Sequence, residues 1–365
     1  TFEELDINEE DERQILELSQ DPKVFEKLTK SIIPSVWGYD EIKRCLILQL
    51  FGGVEKTHTD GQRSRGDMHI LLIGDPGVAK SATLVFMAKI SPKGRYVVGK
   101  SATGAGLTAT VVRDEYLRGW SLEAGSMVLA NRGLLCIDEL EKMDPGDRSA
   151  MHEAMEQQTV TISKANVHAT LRAETSVLAA ANPKFGRFDP FQSIAQQIDL
   201  PPTLINRFDV IFPLRDLPNR EKDELIATHV LHEHQKMGEE MLISKDLLRK
   251  YVAYAKQRIK PVLSDEAVDE MKKFYVELRN TPVSGEGAVR PIPISARQLQ
   301  ALIRMSEASA KMRLSETVDP GDAKRSIEIM KYYLMQVGYD YESKTFDIDR
   351  GTGGMPASQR NKVFI

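Results

Sequence analysis

Apolar positions along this chain follow two regimes that change over near residue 217. Before it, short continuous apolar runs stand at Ile70 to Ile73, Leu134 to Ile137, Val177 to Ala181 and Asp209 to Phe212, with Tyr96-Val97-Val98 as a shorter one. Such runs read as strands buried on both faces, and their alternation with helical stretches argues for a parallel sheet. Among the helical stretches, Leu84, Met87 and Ala88 give one a buried face. Ile42, Cys45, Leu46 and Leu50 mark another, closed by Gly52-Gly53, and Met151 to Gln158 continues a third. Two short helices precede the sheet, one N-capped at Asn8 and one at Asp21 with Pro22 as its first helical residue. Residues 101–125, around Thr108 to Val112, and Thr159 to Arg172, with Lys164-Ala165-Asn166 at the turn, instead alternate with a period of two and predict hairpins.

Past residue 217 the periodicity is purely helical: Glu221 to Gln235, Lys245 to Arg258, Asp265 to Arg279, Ser295 to Arg313 and Asp319 to Val337. Thr57 to Asp67 is polar and reads as a surface loop. Thr281 to Pro293, with three prolines and two glycines, reads as another between two helices. From Tyr339 the chain is polar, then glycine-rich at Gly351 to Gly354, as linkers are.

Composition narrows the classes. The 365 residues are 41% hydrophobic and 28% charged, which is globular composition with length for two or three domains. No apolar run approaches the roughly 20 residues a bilayer needs, and the acidic opening is no signal peptide, so an intracellular protein without a membrane partner is expected. Cys45 and Cys136 lie in apolar stretches and read as buried thiols rather than a disulfide or metal site. A net charge of −4 gives no overall basic surface, so any nucleic-acid contact must come from a local patch. The missing initial methionine and the apolar ending Asn361 to Ile365 lead us to expect a fragment of a longer protein.

The candidate chemistry begins at Ile70 to Ser81, ILLIGDPGVAKS, an apolar strand running through a glycine and proline turn into a helix. A helix N-terminus aimed into a loop suits an anionic phosphate. In that reading Lys80 reaches the terminal phosphates, the Ser81 hydroxyl holds Mg²⁺, and Gly74 and Gly77 let the backbone close around the oxygens. Gly74, Asp75, Pro76, Gly77, Val78, Ala79, Lys80, Ser81 and Ala82 form the candidate nucleotide loop. Ala79 stands where the strict phosphate-loop pattern has glycine; alanine costs little there if its backbone angles are helical, and only a demand for positive φ would exclude it. The bland alternative is an ordinary strand, turn and helix.

Asp138 and Glu139 end the second apolar strand, where open α/β sheets place their active sites. In phosphate-loop enzymes such a pair holds Mg²⁺ and activates the attacking water; the alternative is the acidic first turn of a helix. Asn182 ends the next strand and is a candidate for the γ-phosphate or the water, against an Asn-Pro turn. Arg207 in LINRFD is either a surface ion pair or an arginine reaching a neighbour's phosphate. Arg297 opens a helix, where a cation is unfavourable unless an anion compensates. Lys164 suits a nucleic-acid phosphate, although a lysine at a turn is usually just solvated. His229, His232 and His234 lack a completing ligand at metal spacing and read as a solvated helix face.

Taken together these motifs resemble the AAA+ motor domain of the minichromosome maintenance (MCM) replicative helicases, most closely the archaeal members. The carrying stretches are GDPGVAKS at 74–81, whose alanine is a habit of that family, IDELEKM at 137–143, AAANP at 179–183 and NRFD at 206–209, supported by SIIPSVWGYDEIKRCLILQLFGG, EAMEQQTVTISKA and SARQLQALIR. The likeness spans about residues 30–338. Where the family more often reads IDEFDKM, this chain has Leu140 and Glu141, and Asn206 replaces the serine before the arginine.

The resemblance implies a three-layer α/β/α phosphate-loop domain with a parallel central sheet, β-hairpin insertions and a helical lid. Its divisions would be a helical linker at 1–31, the α/β core at 32–217, the lid at 218–338 and a linker toward a winged-helix domain at 339–365. Residues 101–125 would be the helix-two insert and 159–172 the pre-sensor hairpin carrying Lys164, both facing a channel for single- and double-stranded DNA. It further implies a homo-hexameric ring, paired into a double hexamer in the full-length protein, that hydrolyses ATP with Mg²⁺ in the cytoplasm or nucleoid of an archaeon. Lys80, Ser81, Asp138, Glu139 and Asn182 would act from one subunit, and Gln157, Arg207 and Arg297 from the next. The rival is a protein remodeller or clamp-loader-like switch that unwinds nothing; a catalytically dead ring member is disfavoured because every expected catalytic residue is present.

Overall fold

Helix α1 (Glu9–Ser19) starts at its expected cap: Asn8 Oδ1 accepts the Asp11 amide at 2.8 Å, and the Asp11 carboxylate accepts the Asn8 amide at 3.2 Å. Here and below the computed structural model describes residues 5–114, 119–164, 167–189, 194–235, 242–280, 295–336, 339–340 and 345–346. Helix α2 is Val24–Lys30 and does not begin at Pro22. The Asp21 carboxylate and carbonyl accept the amides of Lys23 and Val24, so Asp21-Pro22 forms the turn ahead of the helix. Helix α3 (Asp40–Phe51) ends at the glycine pair as expected. The supposed loop that follows carries a small antiparallel hairpin, β1 (Lys56–Thr57) with β2 (Arg63–Ser64).

The central sheet begins with β3 (Ile70–Gly74), followed by α4 (Lys80–Ile90) and β4 (Arg95–Val98). A first insertion comprises α5 (Gly104–Leu107), the hairpin β5 (Ala109–Asp114) and β6 (Gly119–Ala124), and α6 (Ser126–Leu129). Then come β7 (Leu134–Asp138), α7 (Pro145–Gln157) and the second hairpin, β8 (Thr159–Lys164) with β9 (Val167–Arg172). The core closes with β10 (Ser176–Ala181), α8 (Pro202–Ile205) and β11 (Val210–Leu214). Both hairpins stand apart from the main sheet, and β5 packs beside β8.

Five strands pair in parallel in the order β11-β3-β10-β7-β4. β3, β7, β10 and β11 are buried at every position, which is why their sequences are continuous apolar runs. The register sets Ala181 against Ile73 and Leu214 against Gly74, so residues that follow β3 and β10 emerge at one common edge. Asp209 lies outside β11, buried just ahead of it.

Helix α9 (Arg220–Gln235) has no buried residue; Leu225, Ile226, Val230 and Leu231 are 42–64% exposed. His229 Nε2 lies 2.8 Å from the Pro34 carbonyl oxygen. The C-terminal helices are α10 (Lys245–Arg258), α11 (Asp265–Arg279), α12 (Ala296–Met312) and α13 (Pro320–Gln336). Their region is not purely helical. β12 (Val262–Leu263) pairs in parallel with β13 (Thr317–Val318), joining the stretches after α10 and α12. Beyond α13, β14 (Tyr339–Asp340) pairs with β15 (Thr345–Phe346). Helix α12 packs on α3 as well as on α13, so the C-terminal helices sit directly on the core. The stretches read as loop and linker at 281–293 and 351–354 lie outside the described residues. Among the described residues no helix is long and apolar enough to cross a membrane.

Candidate active site

The phosphate loop bridges β3 and α4. A Cβ on Gly74 would lie 2.6 Å from the Leu214 Cβ, so only glycine lets β11 approach, and Gly77 holds φ at +88°. At Ala79 φ is +62°, so the loop does demand the left-handed region and alanine occupies it at a cost of roughly 1–2 kcal/mol. Helix α4 has no side-chain cap and no acid in its first turn, which leaves its N-terminal amides for an anion. Asp75 turns inward, its carboxylate accepting the amides of Phe188 at 2.7 Å and Asp216 at 2.8 Å, so it braces the loop. Pro76, Ser81 and Ala82 are exposed, and Val78 is half-buried.

Lys80 is buried, and its ammonium donates to the carbonyls of Gly74 and Asp75, both at 2.7 Å. Burial lowers its pKa, while the charges of Asp138, Asp75 and Glu141 work the other way. Asp138 is buried; Oδ2 accepts the Tyr96 hydroxyl at 3.0 Å and Oδ1 the Glu139 amide at 2.9 Å. Burial and that hydrogen bond push the Tyr96 phenol up to about 12, so it remains a donor at neutral pH. Glu139 has φ +52°, and its carboxylate accepts Lys142 Nζ at 2.6 Å. Asn182 donates to Glu141 Oε1 at 2.9 Å, while Glu141 Oε2 is buried and finds no partner among the described residues.

Glu141 and Tyr96 thus join the site although neither is among the candidates that the sequence motifs name. A third acid two residues beyond the pair was the available signal for Glu141; an exposed edge-strand tyrosine gave none. The donors suit Mg²⁺, which prefers hard oxygens and takes few protein ligands beside phosphate oxygens. Ser81 supplies a hydroxyl, Asp138 a carboxylate and Glu141 an orphaned oxygen; among the described residues no acid, histidine and cysteine cage competes.

A second group of candidates gathers elsewhere. Gln157, Arg207 and Arg297 line one cleft of about 430 Å³ that no phosphate-loop residue borders. Arg207 precedes β11 whereas the phosphate loop follows β3, so about 13 Å of strand, at ~3.3 Å per residue, separates the two edges. Arg207 Nε donates to His152 Nε2 at 3.1 Å and its guanidinium pairs with Glu156, so within one chain it is an ion pair. Arg297 donates to the Asn206 carbonyl, an acceptor at the C-terminus of α8 that offsets its placement in the first turn of α12. Lys164 ends β8 opposite Val167.

Asp209 ties the elements carrying these arginines together. Its carboxylate accepts from Arg65 at 3.1 Å, from the His69 amide at 2.8 Å and from Arg304, which lies on the same helix as Arg297. Arg65 also donates to the Arg207 carbonyl at 3.2 Å. Burial alone would raise the Asp209 pKa, but Arg65 and Arg304 outweigh it and hold the group at about 2. The folded pKa lies below the ordinary 3.8, so this contribution to stability is complete above pH ~4 and is lost as pH falls toward 2. Asp209→Ala is expected to destabilise by about 3–5 kcal/mol, because it takes the carboxylate from a buried guanidinium, Arg304, and a partly buried one, Arg65. Thermal unfolding at pH 7 measures it, and a loss under ~1 kcal/mol would mean the arginines find other partners.

A braced phosphate loop, a buried lysine and an acidic strand end at the C-terminal edge of a parallel sheet define a phosphate-loop nucleotide-binding domain with helices following it. The family profile of the MCM P-loop domain matches residues 11–234, and that of the MCM AAA-lid domain matches residues 246–334. The chain belongs to the MCM family. It is 47% identical over 363 residues to the minichromosome maintenance protein MCM of Saccharolobus solfataricus, covering 100% of this chain and 52% of that one. DNA replication licensing factor MCM4 of Arabidopsis thaliana is 42% identical, with 98% and 43% covered, and mcm7 of Schizosaccharomyces pombe is 42% identical, with 92% and 45% covered. The chain thus spans about half the length of these relatives.

Proposed function

We propose that this chain is the ATP-hydrolysing motor of a hexameric replicative DNA helicase, with each active site shared by two subunits of a homo-hexameric ring. The observation that carries the reading is the separation of the candidate residues onto opposite strand edges. Lys80, Ser81, Asp138, Glu139 and Asn182 stand at one, and Gln157, Arg207 and Arg297 share a cleft at the other. A ring brings one edge against the next subunit's opposite edge. The apolar residues exposed along α9 are consistent with a surface covered on assembly.

Within that reading Lys80 and the amides of α4 hold the phosphates, and Ser81 and Asp138 hold Mg²⁺, which neutralises phosphate charge. Glu139 takes the proton of the attacking water after leaving Lys142, Asn182 orients that water, and Arg207 and Arg297 stabilise charge from the neighbour. We divide the chain as the resemblance suggests: linker 1–31, core 32–217, lid 218–338 and a further linker at 339–365. We place its work inside an archaeal cell.

DNA would be held by the two hairpins. With a net charge of −4, binding must rest on cations collected in the channel, one Lys164 per subunit. Lys164→Ala is expected to weaken single-stranded DNA binding for all sequences alike and to flatten its salt dependence by a slope of about one per site. Basal ATPase stays and DNA stimulation is lost. Affinity measured across a salt series, with assembly checked in the same buffer, tests this. An unchanged affinity and slope would remove the hairpin as the DNA contact and favour a remodelling ATPase.

A further inference from the structure

At the N-terminal edge of the sheet lies a cavity of about 390 Å³, walled by the turns that precede β3, β4, β7 and β10 and by α10 and α12. Six cations line it: Lys93, Arg132, Arg249, Lys256, Lys260 and Lys311. Among the described residues three carboxylates face them, and all are already engaged: Glu55 pairs with Arg63 at 3.3 Å, outside the cavity lining. Asp67 accepts from Gln158 at 2.7 Å and Ser176 at 3.2 Å, while Glu174 lies between Arg132 and Arg172 at 3.6 and 3.7 Å.

Two of the ammonium groups are positioned by neutral acceptors. Lys311 Nζ donates to the Gly53 carbonyl at 2.6 Å and Lys256 Nζ to the Arg132 carbonyl at 3.0 Å, bonds that orient the charges without neutralising them. Burial, and then the charge of Lys256, push the Lys311 pKa down to about 8. Lys93 and Arg132 both hold positive φ, +54° and +64°. Non-glycine residues in that region cluster at binding sites.

We propose that this cavity binds a phosphate-bearing polyanion at a site distinct from the phosphate loop. Its volume falls within the range of small-ligand pockets, and several lysines and arginines around one space are the chemistry that recognises clustered phosphates. The occupant would touch both roots of the second hairpin, because Gln158 precedes β8 and Glu174 closely follows β9, and it would bridge them to α10 and α12. Binding there couples the hairpin to the C-terminal helices from the side away from the nucleotide.

Pyrophosphate is the probe, titrated calorimetrically into the intact chain carrying Lys80→Ala, which removes the central phosphate contact of the loop. One pyrophosphate per chain is expected to remain. Adding Lys260→Glu, at an exposed position where folding is not at risk, should weaken it about tenfold, as for loss of a charge-assisted contact. Lys311→Met, with folding checked by circular dichroism, should weaken it at least as much. Single-stranded oligonucleotide is then added as competitor: displacement assigns the site to nucleic-acid phosphate and persistence to a free polyphosphate, and both uphold the cavity. Absence of binding to the Lys80→Ala protein, or binding indifferent to Lys260→Glu and to folded Lys311→Met, overturns the proposal.

Discussion

Glu139→Gln is expected to leave ATP bound and to slow its hydrolysis by about two to four orders of magnitude, the usual worth of a positioned general base. The amide keeps the shape of the side chain and its place at the strand end but cannot take a proton. Lys80→Ala should fail differently. It removes a positive charge that meets the phosphates in the ground state, so binding itself should fall, and with it turnover. Nucleotide affinity by fluorescence titration and single-turnover hydrolysis together separate the two. The structure adds a control absent from the motif alone. Glu141 holds Asn182 and keeps an orphaned buried oxygen beside the same site, so Glu141→Gln belongs in the series. If Glu139→Gln turns over at the parent rate while Glu141→Gln does not, the base has been assigned to the wrong carboxylate.

Arg207→Ala should cost about three to five orders of magnitude in hydrolysis, the worth of an arginine supplied to a phosphoryl transition state, while ATP binding to the phosphate loop persists. The sharper result concerns mixtures. In a ring, a subunit with an intact loop and no Arg207 can face one with Arg207 and no Lys80. Mixing Arg207→Ala with Lys80→Ala protein should therefore restore part of the activity at interfaces where the intact halves meet. Activity that stays at the single-variant floor at every mixing ratio, with ring assembly verified by light scattering, counts against shared sites. On the shared-site reading this arginine has to exchange its partners within the chain for those across an interface. Glu156 and His152 occupy the guanidinium, and a neighbour's phosphates must outcompete them.

What was legible in the sequence was local. A helix satisfies its backbone four residues away, so the periodic stretches at 245–258 and 265–279 match α10 and α11 residue for residue. A strand buried on both faces is apolar at every position, and β3, β7 and β10 are such runs. The phosphate loop is equally local, since its lysine, its serine and the amides it exposes lie within one turn of each other. Where local signals competed, the structure decided between them. Asp21-Pro22 is a turn because its acceptors serve the next amides, and Ala79 takes a left-handed backbone because the loop around it requires one.

Tertiary structure alone decided the rest, because pairing across a sheet or between helices joins residues that no sequence window contains. The strand order, and therefore which residues share an edge with the phosphate loop, is a result of crossovers that periodicity does not encode. Asp209 reads from sequence as the first residue of a strand; only folding brings Arg65 and Arg304 to its carboxylate and makes a buried charge tolerable. Asn182 meets Glu141 in the same way, and six dispersed cations converge on one cavity. Residue types and local geometry set what each side chain can do, while the burial and charge that only the fold assembles determine which of them act together.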